Sequence, residues 1–174
     1  REAPTVVLTV LPTAPTRGNV TVTAAVYSEY DLVVQKFALG QQDVAYFSGH
    51  GEIVSDGQYI LTENGWVTFY VQDIAGNETV QSIEITNIDR ERPVISLNGE
   101  RVMTVRRGEA FVDPGATATD NIDGDISSEI IVTGHIDTSV ANIYLLFYDV
   151  LDRAGNAAEQ VVRIVHVNTQ ESAP

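Results

Sequence analysis

The sequence predicts an all-β protein built as two tandem antiparallel β-sandwiches joined by a short linker. Three observations carry this. Short runs of β-branched and aromatic residues are bounded by Gly, Pro, Asn or Asp. No window sustains the i, i+3, i+4, i+7 apolar spacing of a long amphipathic helix. A segment of the first half recurs in the second.

Thr5–Val10, Val20–Val26 and Trp66–Val71 are the clearest strands. Residues 63–86, ENGWVTFYVQDIAGNETVQSIEIT, align without a gap on residues 142–165, NIYLLFYDVLDRAGNAAEQVVRIV. The anchor is D-x-A-G-N: Asp73, Ala75, Gly76 and Asn77, then Asp152, Ala154, Gly155 and Asn156. Val67, Phe69 and Val71 take the places of Leu146, Tyr148 and Val150. Each trio shares one strand face, because side chains alternate with period two. Tyr144 extends that face in the second copy. Each copy should therefore end in a hairpin with Ala-Gly-Asn at its tip, where Gly accepts positive φ and Asn tolerates it. The closing strands are expected over Thr79–Ile85 and Ala158–Val167.

The copies also begin alike, with Pro4-Thr5-Val6-Val7-Leu8 matching Pro93-Val94-Ile95-Ser96-Leu97. Between them lies the charged, proline-ended stretch Asn87–Pro93, and proline stiffens it. The expected domains are 1–89 and 90–174, with the linker at about 87–93. Their middles differ. The first carries Gly49-His50-Gly51 and Ser55-Asp56-Gly57, and the second carries Val112-Asp113-Pro114-Gly115-Ala116 and Asp120–Asp125.

A formal net charge of -14 over 174 residues and a pI near 4.3 argue against nucleic acid, which needs Lys and Arg to release counterions. The same charge argues against anionic membrane surfaces and suits either divalent cations or plain solubility. There is no cysteine, so disulfides and thiolate chemistry are excluded. No apolar run reaches the roughly 20 residues of a bilayer span. Arg1–Pro4 reads as no signal peptide and Gln170–Pro174 as no anchor, so the chain is expected to be a piece of a longer protein.

The run T-E-N-G-W-V-T-F-Y-V-Q-D-I-A-G-N-E-T, followed by I-T-N-I-D, resembles the immunoglobulin-like repeats of Firmicute surface and secreted proteins. V-D-P-G-A-T-A-T-D-N-I-D-G-D-I with D-R-A-G-N resembles a second bacterial Ig-like family. That family recurs in cell-surface proteins, polysaccharide-degrading enzymes and some insecticidal crystal proteins. The resemblance implies Ig-like sandwiches that serve as linkers, stalks or adhesion modules without catalysis, at the cell surface or secreted. Flanking domains of the parent protein are the implied partners, with a cell-wall or extracellular glycan, or a protein, as ligand. An accessory carbohydrate-binding region beside a polysaccharide-active enzyme is the alternative.

No catalytic constellation is legible. Ser48 and His50 are close, but Phe47-Ser48-Gly49-His50-Gly51 is not a nucleophile elbow and reads as a turn. His50, His135 and His166 are scattered. Neither a phosphate-binding glycine loop nor a cleft for paired carboxylates is expected.

Asp120-Asn121-Ile122-Asp123-Gly124-Asp125 is the one candidate metal site. It is not an EF-hand: aligned on Gly124, Thr119 and Ile130 fall at loop positions 1 and 12, where acidic ligands belong. In an Ig sandwich the B–C and F–G loops share the end where the chain enters. Asp120, Asn121, Asp123 and Asp125 of the B–C loop, Asp152 of the F–G loop, and linker residues Asp89 and Glu91 are thus expected to meet around calcium at the junction. Two rival readings stand beside it: an Asx-rich turn bonding its own backbone, and neutralisation by Arg90, Arg92 or Arg153. Glu2, Glu29, Asp31, Asp73 and Asn77 form a weaker counterpart in the first domain, where a structural role is favoured, Asp73 and Asp152 bonding the amides of their hairpins.

Trp66 has opposite parity to Val67, Phe69 and Val71, so it should point away from the core with Thr68 and Tyr70 beside it. That face is either a sugar platform or covered by a neighbouring loop. Leu145, Phe147 and Leu151 fall on the same non-core face of the second copy and suggest a covered face or a contact surface. Asn19-Val20-Thr21 and Asn77-Glu78-Thr79 match glycosylation sequons by chance.

Overall fold

The computed structural model describes residues 2–169; Arg1 and Gln170–Pro174, expected to be neither leader nor anchor, lie outside them. The chain divides into two compact units, Arg1–Asp89 and Arg90–Pro174. Each is a pair of sheets.

In the first unit β1 (Thr5–Leu11), β2 (Val20–Tyr27) and β3 (Leu32–Leu39) precede a 3-10 turn over Val44–Ser48. Then come β4 (Glu52–Ile53), β5 (Gln58–Leu61), β6 (Gly65–Asp73) and β7 (Glu78–Ile85). One sheet runs β1-β2-β5 and the other β4-β3-β6-β7. The alternation read from the sequence sets the core: Val67, Phe69 and Val71 of β6 are buried with Val20, Val22, Phe37, Leu61, Ile85 and Ile88. Each such side chain is worth about 1.5–3 kcal/mol when fully buried.

On the opposite face of β6, Thr68 and Tyr70 are buried as well, while Trp66 stays exposed. Phe47, delivered by the 3-10 turn, stacks on Tyr70 with ring centroids 4.9 Å apart and an interplanar angle of 13°. Ala38 completes that small cluster, with Val34, Val44, Tyr46 and Val80 packed against it. The segment is held at several points. Asp43 accepts from the Tyr46 amide, and Lys36 Nζ donates to the Phe47 and His50 carbonyls. Buried Thr68 donates to the Gly40 carbonyl at 2.7 Å and accepts from the Gln42 amide at 3.0 Å. Thr68 and Tyr70 therefore do not flank Trp66 on an open face.

The second unit contains β8 (Val94–Leu97), β9 (Val102–Arg106), β10 (Ala116–Asp120), β11 (Gly124–Asp125), a 3-10 turn over Ser127–Glu129, β12 (Ile131–Thr133), β13 (Asn142–Asp149) and β14 (Val161–Asn168). Its sheets are β11-β10-β8 and β12-β13-β14-β9, with β9 parallel to β14. Ile95, Ala118, Ile126, Leu146, Tyr148 and Val150 form its core. Nothing equivalent to the Phe47 turn intervenes between β12 and β13. Ile143 and Leu145 of β13 are left exposed on the outer face.

The final strands do not follow the gapless alignment. In the first unit the pairing continues in one register from Gln72↔Glu78 to Gly65↔Ile85. In the second, the Leu151↔Ala157 bridge and the Tyr148↔Val161 pair differ by one residue. A one-residue bulge thus lies within Ala158–Gln160, which falls outside β14. One extra residue reverses every following side chain. Arg163, Val165 and Val167 are buried, where an unbulged repeat would place Val162 and Ile164.

Arg163 is satisfied where it lies. It donates to the carbonyls of Glu100, Asn98 and Gly115 and to the Tyr148 hydroxyl, at 2.7 to 3.0 Å. A carboxylate oxygen of Asp113, from the V-D-P-G-A run, is 3.1 Å away. Both Asp113 oxygens also accept from Tyr148 at 2.7 Å.

Candidate functional site

The D-x-A-G-N motif forms the same tip twice. Asp73 accepts from the Asn77 amide at 2.9 Å and from its side-chain Nδ2 at 2.8 Å. Asp152 repeats both bonds with Asn156, at 2.7 and 2.8 Å. Both aspartates are buried, and Gly76 and Gly155 sit at φ 81° and 88°. Burial works against charge on Asp73, but hydrogen bonds from the Asn77 side chain and from the tip amides outweigh it. Its pKa falls below the usual carboxylate range. Each tip is stapled through both oxygens of its aspartate.

In the B–C loop of the second unit the aspartates take different roles. Asp123 meets Arg153: its oxygens accept from the Arg153 amide and Nε, both at 2.7 Å, and Nη2 lies equally close. The Arg153 hydrogen bonds, backbone and side chain, hold the Asp123 pKa below its ordinary value. Asp125 caps Ser127, accepting from its amide and hydroxyl, and those bonds lower its pKa too. Asn121 is exposed. Asp120 accepts from the Ile122 and Asp123 amides through Oδ1, an Asx turn. Its Oδ2 is buried and receives no hydrogen bond.

The sequence-predicted residues thus separate into groups. A carboxylate oxygen of Asp120 and one of Asp152 lie within 4.8 Å of each other. Asp123 and Asp125 turn to Arg153 and Ser127 instead. The expected neutralisation by arginine occurs at Asp123. Glu91 is exposed and Asp89 is buried. Beside the loop is a cleft of about 460 Å³ lined by Asp123, Asp125, Ser128, Glu129, Leu151 and Arg153 among others.

In the first unit, Asp73 and Asn77 staple their hairpin. Glu2 and Glu29 line a separate cleft of about 320 Å³ with Thr5 and Tyr27. Asp31 contributes its carbonyl to the Ile74 amide. The sequon residue Asn77 is occupied by the same staple.

Ser48 and His50 make no nucleophile–base pair. Ser48 Oγ donates to the Ala45 carbonyl at 2.9 Å, and His50 Nδ1 lies 3.0 Å from the Tyr46 carbonyl while its ring stacks on Tyr46. Both finish the 3-10 turn.

Sequence reasoning missed the Arg163–Asp113–Tyr148 network. The signal available was an arginine within an otherwise apolar run, V-V-R-I-V.

Residues 95–167 match the model of the bacterial surface protein Ig-like domain. The second unit is similar to bacterial surface Ig-like domains. The surface Ig-like match covers β8 to β14 apart from their outermost residues. Over 120 residues the chain is 32% identical to the outer cell wall protein of Brevibacillus brevis, a match covering 58% of this chain and 12% of that relative. The chain thus spans a small part of the curated relative it matches. Two solved structures are similar in part. The lipoprotein BT2262 from Bacteroides thetaiotaomicron shares 27% identity at a TM-score of 0.42, over 47% of this chain and 40% of that one. The fibronectin(III)-like modules of Clostridium thermocellum CbhA share 10% identity at a TM-score of 0.37, over 97% and 99%. The surface Ig-like family and the cell-wall relative place this chain outside the cell or at its surface.

Proposed function

We propose that the chain is a non-catalytic spacer, stalk or adhesion module of a larger extracellular bacterial protein. One observation carries this reading. Most of the residues that the sequence singles out for chemistry hold loops instead: Asp73 and Asp152 staple hairpins, Ser48 and His50 close a turn, and Asp123 is paired with Arg153. Incubation with ester, peptide and common glycan substrates should give no turnover above buffer. Turnover abolished by Ser48→Ala or His50→Ala would overturn it. A glycan array separates the module from an accessory carbohydrate-binding region, whose binding would be lost in Trp66→Ala.

A second reading, a divalent cation at the acidic end of the second unit, is favoured by the buried, unbonded Oδ2 of Asp120 close to Asp152. Hard cations collect such oxygens, and a carboxylate already accepting hydrogen bonds keeps further lone pairs. Val94 pairs with Thr119, so residues 90–93 enter beside Asp120. This route supports Glu91 as a further ligand. Calcium titrated into the full chain should release or absorb heat with a dissociation constant on the order of 10⁻⁴–10⁻³ M. Saturation should raise the melting temperature. Asp120→Asn should remove both effects and Asp123→Asn should spare them. No heat and an unchanged melting curve would leave the loop as an Asx turn.

A further inference from the structure

The four sheets present eight edge strands, and seven of them are short or charged. β4 and β11 have two residues, β12 three, and β5 and β8 four. β9 carries Arg106 and is flanked by Arg101 and Arg107, and β7 carries Glu78 and Glu84. Short length and charge are how natural sheets keep their unpaired backbone groups from recruiting another chain.

β1 has neither protection. It is seven residues long, Thr-Val-Val-Leu-Thr-Val-Leu, without a charge, and it pairs on one side only, with β2. Its inward residues Val6, Leu8 and Val10 pack against the core but remain partly exposed, unlike the fully buried Val22 opposite Val10. The face outside it is uncharged too. Thr5, Val7, Thr9 and Leu11 continue through Thr21, Thr23 and Ala25 of β2 to Gln58 and Ile60 of β5. Val7 is 47% and Leu11 67% exposed. On a chain of net charge -14, this strip is where a second copy would meet least repulsion.

We propose that β1 pairs antiparallel with β1 of a second copy, joining two β1-β2-β5 sheets across a two-fold axis at Leu8. The strand is suited to pairing with itself. About that axis Val6 faces Val10 and Leu8 faces Leu8, so the inward set Val-Leu-Val is its own reverse. Thr5 meets Leu11, and Val7 meets Thr9, on the outer side. Parity is kept, so the partner's apolar residues continue the inward face of β1 and its threonines stay outside. The contact is isologous and closes as a dimer.

Sedimentation of the 174-residue chain over a range of concentrations should show a reversible monomer–dimer equilibrium. Val7→Lys should raise its dissociation constant about tenfold or more, because the dimer holds two copies of the charge on the joined strands. A melting temperature near that of the parent would show the variant folded. The chain has no cysteine, so Leu8→Cys can form only an intermolecular disulfide. Paired antiparallel Cα atoms are about 4.5–5.5 Å apart, within disulfide reach. Oxidative crosslinking should therefore be much faster than for Ser55→Cys, on an exposed turn of the same unit. A chain that stays monomeric, a dimer that Val7→Lys leaves intact, or equal crosslinking of the two cysteine variants would each overturn the proposal.

Discussion

Arg163 has no exposure to solvent, and its Nε lies 3.1 Å from a carboxylate oxygen of Asp113. Asp113 reaches it from the loop before β10, and Tyr148 bonds to both residues. A buried cation with all these partners is tolerated, whereas removing one partner leaves an uncompensated buried group.

Truncation of this network should therefore be costly in the second unit alone. Arg163→Ala is expected to lose about 3–5 kcal/mol. Arg163→Met, which fills similar volume without charge, should lose less. Urea unfolding with separate probes for the two units checks this. An equal loss for both variants would mean that volume, not the network, matters.

The Phe47 turn makes a second expectation. Burial, and then the hydrogen bond and charge of Glu78, push the Tyr70 hydroxyl up to about 12. Its folded pKa lies above the unfolded value of about 10. The stability it contributes is then fully present below pH 10 and is lost as pH rises towards 12. Phe47→Ala should uncover the ring, cost about 3 kcal/mol, and move the tyrosinate absorbance transition downwards. An unmoved transition would mean that Glu78 alone sets it.

Acid should act in the opposite sense on Asp123. Its hydrogen bonds from Arg153 depress its folded pKa, so the stabilisation is present above the ordinary carboxylate range and is lost as pH falls below about 4. Asp73, Asp125 and Asp137 share that direction. Asp123→Asn should flatten the fall in urea midpoint between about pH 4 and pH 2. The same slope in variant and parent would show that other carboxylates control acid unfolding. Arg153 is largely exposed, so the effect should shrink in high salt.

Much of the candidate site was legible as residue types, and Arg153 as a neutralising partner, but not which carboxylate each partner would take. The acidic loop could be found from Asp120, Asp123 and Asp125, because clustered carboxylates are visible in any reading. Which of them stays open is a matter of side-chain direction. Asp123 and Asp125 differ from Asp120 only in having Arg153 and Ser127 within reach. Likewise, parity placed Trp66, Thr68 and Tyr70 on one face of β6. It could not say that Phe47, about twenty residues earlier in the chain, would cover two of them.

By itself the sequence determined the all-β class, the two copies of D-x-A-G-N, and the inward faces of β6 and β13. All of these depend on local chemistry: period-two alternation, and the backbone freedom of Gly76 and Gly155. Only the tertiary structure decided what depends on contacts between distant segments. It inserted one residue within Ala158–Gln160, and that bulge exchanged Val162 and Ile164 for Arg163 and Val165 in the core. A strand's register is set by the partner and the turn that hold it, and one residue either way carries every side chain to the other face.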